Sequence, residues 1–458
     1  MKWIRAAALL MSILVLSSCG KTEESSLVMQ GEESLTVTTS ATIPEDSQVQ
    51  TTEGTTGSQS GAVTTTTTTG STTEETTTTP PILTQKPKDA ILAAQDSVEV
   101  YTALTLAELI GDTNVQLLNG SSKVVTDQTG TFEIAVEYCF EGAQYAHALS
   151  YTVVDTTAPL LLNAGWTVYL KQGAAFHLEE HVGYADQYDR KPVLTYTGMV
   201  NTGVCGTYPI TASVTDASGN ATVWDLTIKV VEKLPSGGGG NSSSLSFDTL
   251  IQNYAAENVC FGIDVSKWQS EIDFEAVKRA GCSFVIMRIG YFYDDIAMDE
   301  YYLRNMEKAR AAGLKVGVYL YTRANTEAEV RENVRWIAKQ LNGQQLDFPV
   351  VFDWESFSQF QQYEMSVHDL NALFVLFAKE LEAHGYSAML YSSKFPLETF
   401  WYPQTEYPVW LAHYTDQTDY QGDYVMWQMS CTGRIPGISG AVDLNILYTD
   451  RAERFWKP

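Results

Sequence analysis

Val350-Val351-Phe352-Asp353-Trp354-Glu355 is a short apolar run that ends in two carboxylates, and a spacing of two puts Asp353 and Glu355 on one side of an extended chain. Read as a strand, it is one of a series. Before it, strands predicted over 261–265, 283–289 and 315–321 are each followed by a helical stretch, near 274–280, over 299–312 and over 327–341. After it come a helix over about 367–384 and a strand over 388–391. Repeated strand–helix units predict a parallel sheet, here closed as a barrel.

Beyond Tyr391 the pattern changes. Strands predicted over 409–414, 425–429 and 442–447 are joined by short stretches of Pro, Gly, Asp and Gln. A parallel crossover needs about a dozen residues, usually with a helix. The expected C-terminal domain, 247–458, is therefore a modified β/α barrel: five βα units, then short strands without outer helices, some of them antiparallel.

In such barrels catalytic groups sit at the carboxyl ends of the strands. Asp264 ends the first strand, Asp353 and Glu355 end the fourth, and Asp443 lies in the last. Any one of these alone reads as readily as an exposed strand-end carboxylate or a helix cap. Four at one mouth repel one another, so at least one keeps its proton near neutral pH, as a general acid must. That is the paired-carboxylate chemistry of glycoside cleavage. Tyr319, Tyr321, Tyr391 and Trp410 share strand-end positions and are candidates for stacking on sugar rings, ordinary barrel core being the competing reading. Gln428 is a candidate sugar hydrogen-bonder.

The segments Asp264-Val265-Ser266-Lys267-Trp268-Gln269, Asp353-Trp354-Glu355, Tyr391-Ser392-Ser393, Val409-Trp410-Leu411-Ala412-His413-Tyr414, Trp427-Gln428 and Gly440-Ala441-Val442-Asp443-Leu444-Asn445 resemble, in order and spacing, the glycoside hydrolase family 25 muramidases. The resemblance runs over nearly all of 259–449. It implies a lysozyme on a modified β/α barrel that cuts the β-1,4 bond between N-acetylmuramic acid and N-acetylglucosamine. Carried over by motif, Glu355 is the general acid, Asp353 stabilises charge or orients the 2-acetamido group, and Asp264 and Asp443 complete the acidic cluster. Ser393, where the family often has Asn, and Phe292, where Gly or Arg is more usual, are departures that bear on subsites more than on chemistry.

Pro235-Ser236-Gly237-Gly238-Gly239-Gly240-Asn241-Ser242-Ser243-Ser244 marks a flexible linker, 234–246. Upstream of it, period-two runs such as Thr131-Phe132-Glu133-Ile134-Ala135-Val136-Glu137-Tyr138, cut by Gly, Asp and Asn turns, predict antiparallel β-sandwiches. Two similar halves, 90–155 and 156–233, are expected. The second, with Asp155-Thr156-Thr157-Ala158-Pro159 at its start and Val214-Thr215-Asp216-Ala217-Ser218-Gly219-Asn220 near its end, resembles bacterial immunoglobulin-like surface modules, which implies a spacer or adhesive unit.

Residues 20–89 are rich in Thr, Ser, Glu and Gly, including unbroken Thr runs at 64–69 and 76–79, and cannot bury enough apolar surface to fold. A disordered stalk of about 65 residues would have a reach of roughly 45 Å. The first 19 residues, with Lys2, Arg5, a short apolar run and Leu16-Ser17-Ser18-Cys19, read as a signal peptide whose end resembles a lipobox, with Cys19 the lipidated residue. The expected location is therefore outside the cytoplasm, anchored to the bacterial membrane through Cys19 and reaching into the wall.

A formal net charge of −26 with no basic cluster after the anchor argues against nucleic acid as a partner. None of the six cysteines shows metal-ligand spacing, so no metal and no cofactor are expected. Cys260 and Cys282 stand at the starts of neighbouring strands, as either a bridge or two buried thiols. The expected partner is the peptidoglycan glycan strand, met by a monomer. The competing class is a wall-binding or adhesive protein whose barrel holds glycan without cutting it; an intact acid set favours the enzyme.

Overall fold

The computed structural model describes residues 82–162, 167–235 and 244–456. The expected signal peptide with Cys19 and the expected stalk as far as residue 81 lie outside the described residues, as do residues 236–243 of the expected linker. Among the described residues no helix is long and apolar enough to cross a membrane.

The first N-terminal unit is built on an antiparallel hairpin, Gly130–Phe140 with Ala143–Val154, flanked by Val98–Glu99 and Gln116–Leu117 in one four-stranded sheet. Where a two-sheet sandwich was expected, its core is closed by the five-residue helix Leu106–Ile110, whose Leu106, Leu109 and Ile110 are buried on the sheet. The unit also starts earlier than residue 90, because Leu83 pairs with the hairpin, its amide donating to Gln144 O at 2.9 Å. The second unit has a four-stranded sheet of Thr167–Lys171, Ala221–Val231, Gly206–Thr215 and Val193–Thr197, with a small two-stranded sheet of Leu160–Leu161 and Tyr184–Ala185.

In the C-terminal domain the barrel strands are β1 (Val259–Val265), β2 (Phe284–Phe292), β3 (Lys315–Thr322), β4 (Val350–Trp354), β5 (Ala388–Ser393), β6 (Val409–Ala412), β7 (Met426–Gly433) and β8 (Val442–Tyr448). Pairing runs in order from β1 through β8, and β8 returns to β1, closing the barrel. The pairs from β1 to β7 are parallel, whereas β8 is antiparallel to both neighbours. The main outer helices are α1 (Phe274–Arg279), α2 (Tyr302–Ala311), α3 (Glu327–Leu341) and α4 (Val367–Ala383). Both long ones start on capping boxes, Thr326 with Glu329 and Ser366 with Asp369, which satisfy otherwise orphaned backbone amides.

Strand alternation divides the core in two. Ile263, Val265, Val285, Met287, Phe352 and Trp354 face outward into the layer shared with the helices. Phe284, Ile286, Val351, Met389, Tyr391, Trp410, Met426 and Leu447 fill the barrel interior. Cys260 and Cys282 are free thiols, with Cys282 buried and its Sγ donating to Phe284 O, so the bridge is not formed.

Candidate active site

The same alternation that sends Ile263 and Phe352 outward turns Asp264 and Asp353 inward. Because β8 runs antiparallel, its beginning lies at the mouth where the other strands end. Asp443, its second residue, therefore stands directly opposite Asp264 in the β1–β8 pairing. Tyr321 and Tyr391 flank Asp353 in register on β3 and β5.

One carboxylate oxygen organises much of the floor. Asp264 Oδ2 accepts from Asn445 Nδ2 at 2.8 Å and from Gln428 Nε2 at 2.9 Å. Asn445 Oδ1 accepts in turn from Trp410 Nε1 at 2.9 Å, and Gln428 Oε1 accepts from the hydroxyls of Tyr391 and Tyr414 at 2.8 and 3.0 Å. Burial pushes Asp264 up to about 6; the donors Asn445 and Gln428, and a hydrogen bond shared with Asp443, hold it from rising further.

Asp353 is buried too, and burial first, then the charges of Glu355 and Asp264, push it well above the usual carboxylate range. Arg288 pulls the other way. That guanidinium is itself fixed by Asp299, with Nε and Nη2 at 2.8 and 2.7 Å from the same Oδ2, which also accepts the Lys267 amide at 2.9 Å. Glu355 follows the last residue of β4 and is only half-buried, so of the two acids on this strand it is the one open to the cleft.

The four acids named from the sequence thus form one electrostatic group. Of the polar and aromatic candidates, Gln428, Tyr391 and Trp410 are built into the floor: Trp410 is 2% exposed and Tyr391 8%, so neither offers an open face to a sugar. Tyr319 points into the interior near Arg288, while Tyr321 reaches the rim, where Tyr293 lies 5.7 Å from its ring and 5.3 Å from that of Tyr291. Lys267 sits over Trp268 at 4.9 Å and over Tyr291 at 5.9 Å. Trp268 and Tyr293, 39% and 43% exposed, are open aromatics that a search of strand ends passes over because both lie just beyond them. Asn445, Tyr414, Arg288 and Asp299 were likewise not singled out. Asn445 and Tyr414 stand inside the motifs quoted above, the only sequence signal they carry.

Residues 263–438 match the family described as Glycosyl hydrolases family 25. The chain is similar to the autolytic lysozyme of Clostridium acetobutylicum, 29% identical over 188 residues, which are 40% of this chain and 54% of that protein. It is similar to lysozyme M1 of Streptomyces globisporus, also 29% identical, over 40% of this chain and 66% of that one. Among solved structures, the lysozyme of Streptomyces coelicolor is 25% identical, with a TM-score of 0.36 over 41% of this chain and 90% of its own. The C-terminal barrel is a glycosyl hydrolases family 25 domain.

Proposed function

We propose that the barrel hydrolyses the glycan of bacterial peptidoglycan at the β-1,4 bond between N-acetylmuramic acid and N-acetylglucosamine. The observation that carries this is the acid group itself: Asp353, buried and with its carboxyl pushed well above the usual carboxylate range by burial and then by the charges of Glu355 and Asp264, lies in the field of the half-open Glu355. A proton in such a pair belongs to both carboxyls, and Glu355 is the member a substrate can reach. Similarity to two lysozymes supports the substrate class.

In this reading Glu355 gives its proton to the glycosidic oxygen as the bond to the anomeric carbon breaks. The positive charge developing on the sugar is met by the carboxylates beneath it. Water then adds at the anomeric carbon, and its proton returns to the acid group. Asp264 and Asp443 hold the floor; Asp353 stabilises charge or orients the 2-acetamido group. Trp268, Tyr293 and Tyr321 supply the faces on which sugar rings stack.

The rest of the chain fits a surface presentation. We read the two N-terminal units as spacers, the second of them immunoglobulin-like, Cys19 as a lipid anchor on the outer face of the bacterial membrane, and the working protein as a monomer.

The test is digestion of purified peptidoglycan by the full chain, followed by borohydride reduction and mass spectrometry. New reduced N-acetylmuramic acid ends are expected, falling by about 10²- to 10⁴-fold in Glu355→Gln with glycan binding retained. Reduced N-acetylglucosamine ends would make it a glucosaminidase; no new ends would make it a wall-binding protein.

A further inference from the structure

Away from the cleft, three buried carboxylates meet where the two N-terminal units join. Asp155 follows the last strand of the first unit, Asp186 follows Tyr184–Ala185, and Asp216 opens the turn between the two long strands of the second. One oxygen of each lies within 4.8 Å of one from each of the others. Asp186 is fully buried and the other two nearly so.

Their partners are all neutral. Asp155 Oδ1 accepts from the Thr157 amide and hydroxyl, and its Oδ2 from Ser218 Oγ at 3.1 Å. Asp216 accepts from the Asn220 amide and side chain, both at 2.8 Å. Asp186 Oδ1 accepts from the amides of Tyr188 and Asp189 at 2.8 and 2.7 Å, while its Oδ2 is buried with no donor. Among the described residues no Lys, Arg or His pairs with any of the three. Three carboxylates gathered out of water, one oxygen of them without a donor, leave negative charge that hydrogen bonds to neutral groups do not balance.

We propose that Asp155, Asp186 and Asp216 bind a calcium ion that locks the two N-terminal units together. The donor set is all oxygen, with no His or Cys, which selects a hard cation over zinc or copper. Calcium takes six to eight oxygen ligands at about 2.3–2.6 Å in a flexible geometry, which three carboxylates with oxygens all within 4.8 Å of one another can begin to supply. Magnesium demands near-ideal octahedral geometry and usually keeps several waters, which a buried site of three carboxylates suits less well. The site also reaches the barrel: the carbonyl of Asp186 accepts the amide of Val367, the first residue of α4, at 2.8 Å. A bound ion would therefore set the angle at which the N-terminal units meet the catalytic domain.

The experiment is calcium titration of the full chain after EDTA treatment, by calorimetry and by thermal unfolding with calcium or magnesium chloride. One calcium per chain is expected, with a rise in the unfolding temperature and an affinity weakened at least tenfold in Asp186→Asn. Asp155→Asn, checked for folding by circular dichroism, is the second variant should the first not fold, and it should lose calcium equally. Absence of binding up to about 5 mM calcium, well above the range of extracellular modules, would overturn the site. So would unchanged affinity in a folded variant, or magnesium binding as tightly as calcium.

Discussion

Asp264 works through one oxygen that two carboxamides hold from different strands, and this makes its protonation adjustable from outside the cleft. Asn445→Ala deletes a donor that lowers Asp264 and leaves Trp410 Nε1 without its acceptor. With Asp264 working as the anion, the acid limb of the kcat/KM profile should move to higher pH, so that activity near pH 5.5 falls much more than activity near pH 8; a uniform loss across the profile would reduce Asn445 to a packing role. The same residue predicts a stability effect of definite sign. A carboxyl raised from 3.8 to about 6 binds more protons folded than unfolded, so its contribution is favourable at low pH and is lost as pH climbs from about 4 to 6, by something of the order of 3 kcal/mol. Asp264→Asn should therefore flatten the fall in urea midpoint across that window, and equal slopes in the two proteins would sink the argument. The four acids were legible because they close strands or stand beside one another in short motifs. Asn445 as a ligand of Asp264 was not: the two are 181 positions apart, and only barrel closure and the antiparallel direction of β8 bring them together.

Among the elements, strand and helix positions followed the hydrophobic pattern closely, α3 to the residue, because each long element has both an apolar stripe and a cap. The strand Ile296–Met298, which folds back antiparallel on β2, was missed: three residues carry no period to detect. The absence of long helices after β5 was inferred from connection lengths alone, and the same reasoning left open which strand reverses. Gly262 shows how tightly these elements are fitted. A Cβ there would lie 2.3 Å from the Phe284 ring, which fills the barrel interior beside it. Gly262→Ala must push that ring aside or spread β1 from β2, two residues before Asp264. Overpacking of this kind costs about 1–3 kcal/mol, and the unfolding midpoint should drop accordingly, with activity falling further than stability because Asp264 moves with its strand. Gly262→Ala combined with Phe284→Leu should recover part of both; failure of the pair to recover either would show that β1 does not depend on this contact.

At the scale of the whole molecule, both N-terminal units meet the start of α4. Tyr101 of the first stacks on His368 with ring centroids 3.4 Å apart and planes parallel to 1°, and Arg190 of the second grips Asp369 through two 2.8 Å hydrogen bonds. Tyr402 Oη donates to Gln187 at 2.9 Å, and Lys191 pairs with Glu364 at 2.8 Å. None of this was legible in the sequence, where a Gly- and Ser-rich linker marks only the boundary before the barrel; contacts between domains leave no period. Burial lowers His368 from its ordinary 6.5, with Arg190 acting in the same direction and Asp369 opposing. A histidine that is neutral when folded contributes stability above about pH 6.5 that is lost as pH falls below it, so acidification should loosen the junction. Tyr101 itself is held at φ 63°, a left-handed conformation that costs a side-chain-bearing residue about 1–2 kcal/mol and persists only if surrounding contacts compensate. Two substitutions separate the terms. Tyr101→Ala loses the stack and keeps the strain; Tyr101→Gly loses the stack and relieves it. Calorimetry at pH 7.5 should show the N-terminal units and the barrel unfolding more independently in both variants than in the wild type, with the first unit about 1 kcal/mol more stable in the glycine variant than in the alanine one. Acidifying the wild type progressively below pH 6.5 should weaken the coupling without any substitution; transitions that stay equally coupled in both variants and throughout that titration would mean that the stack does not hold the junction.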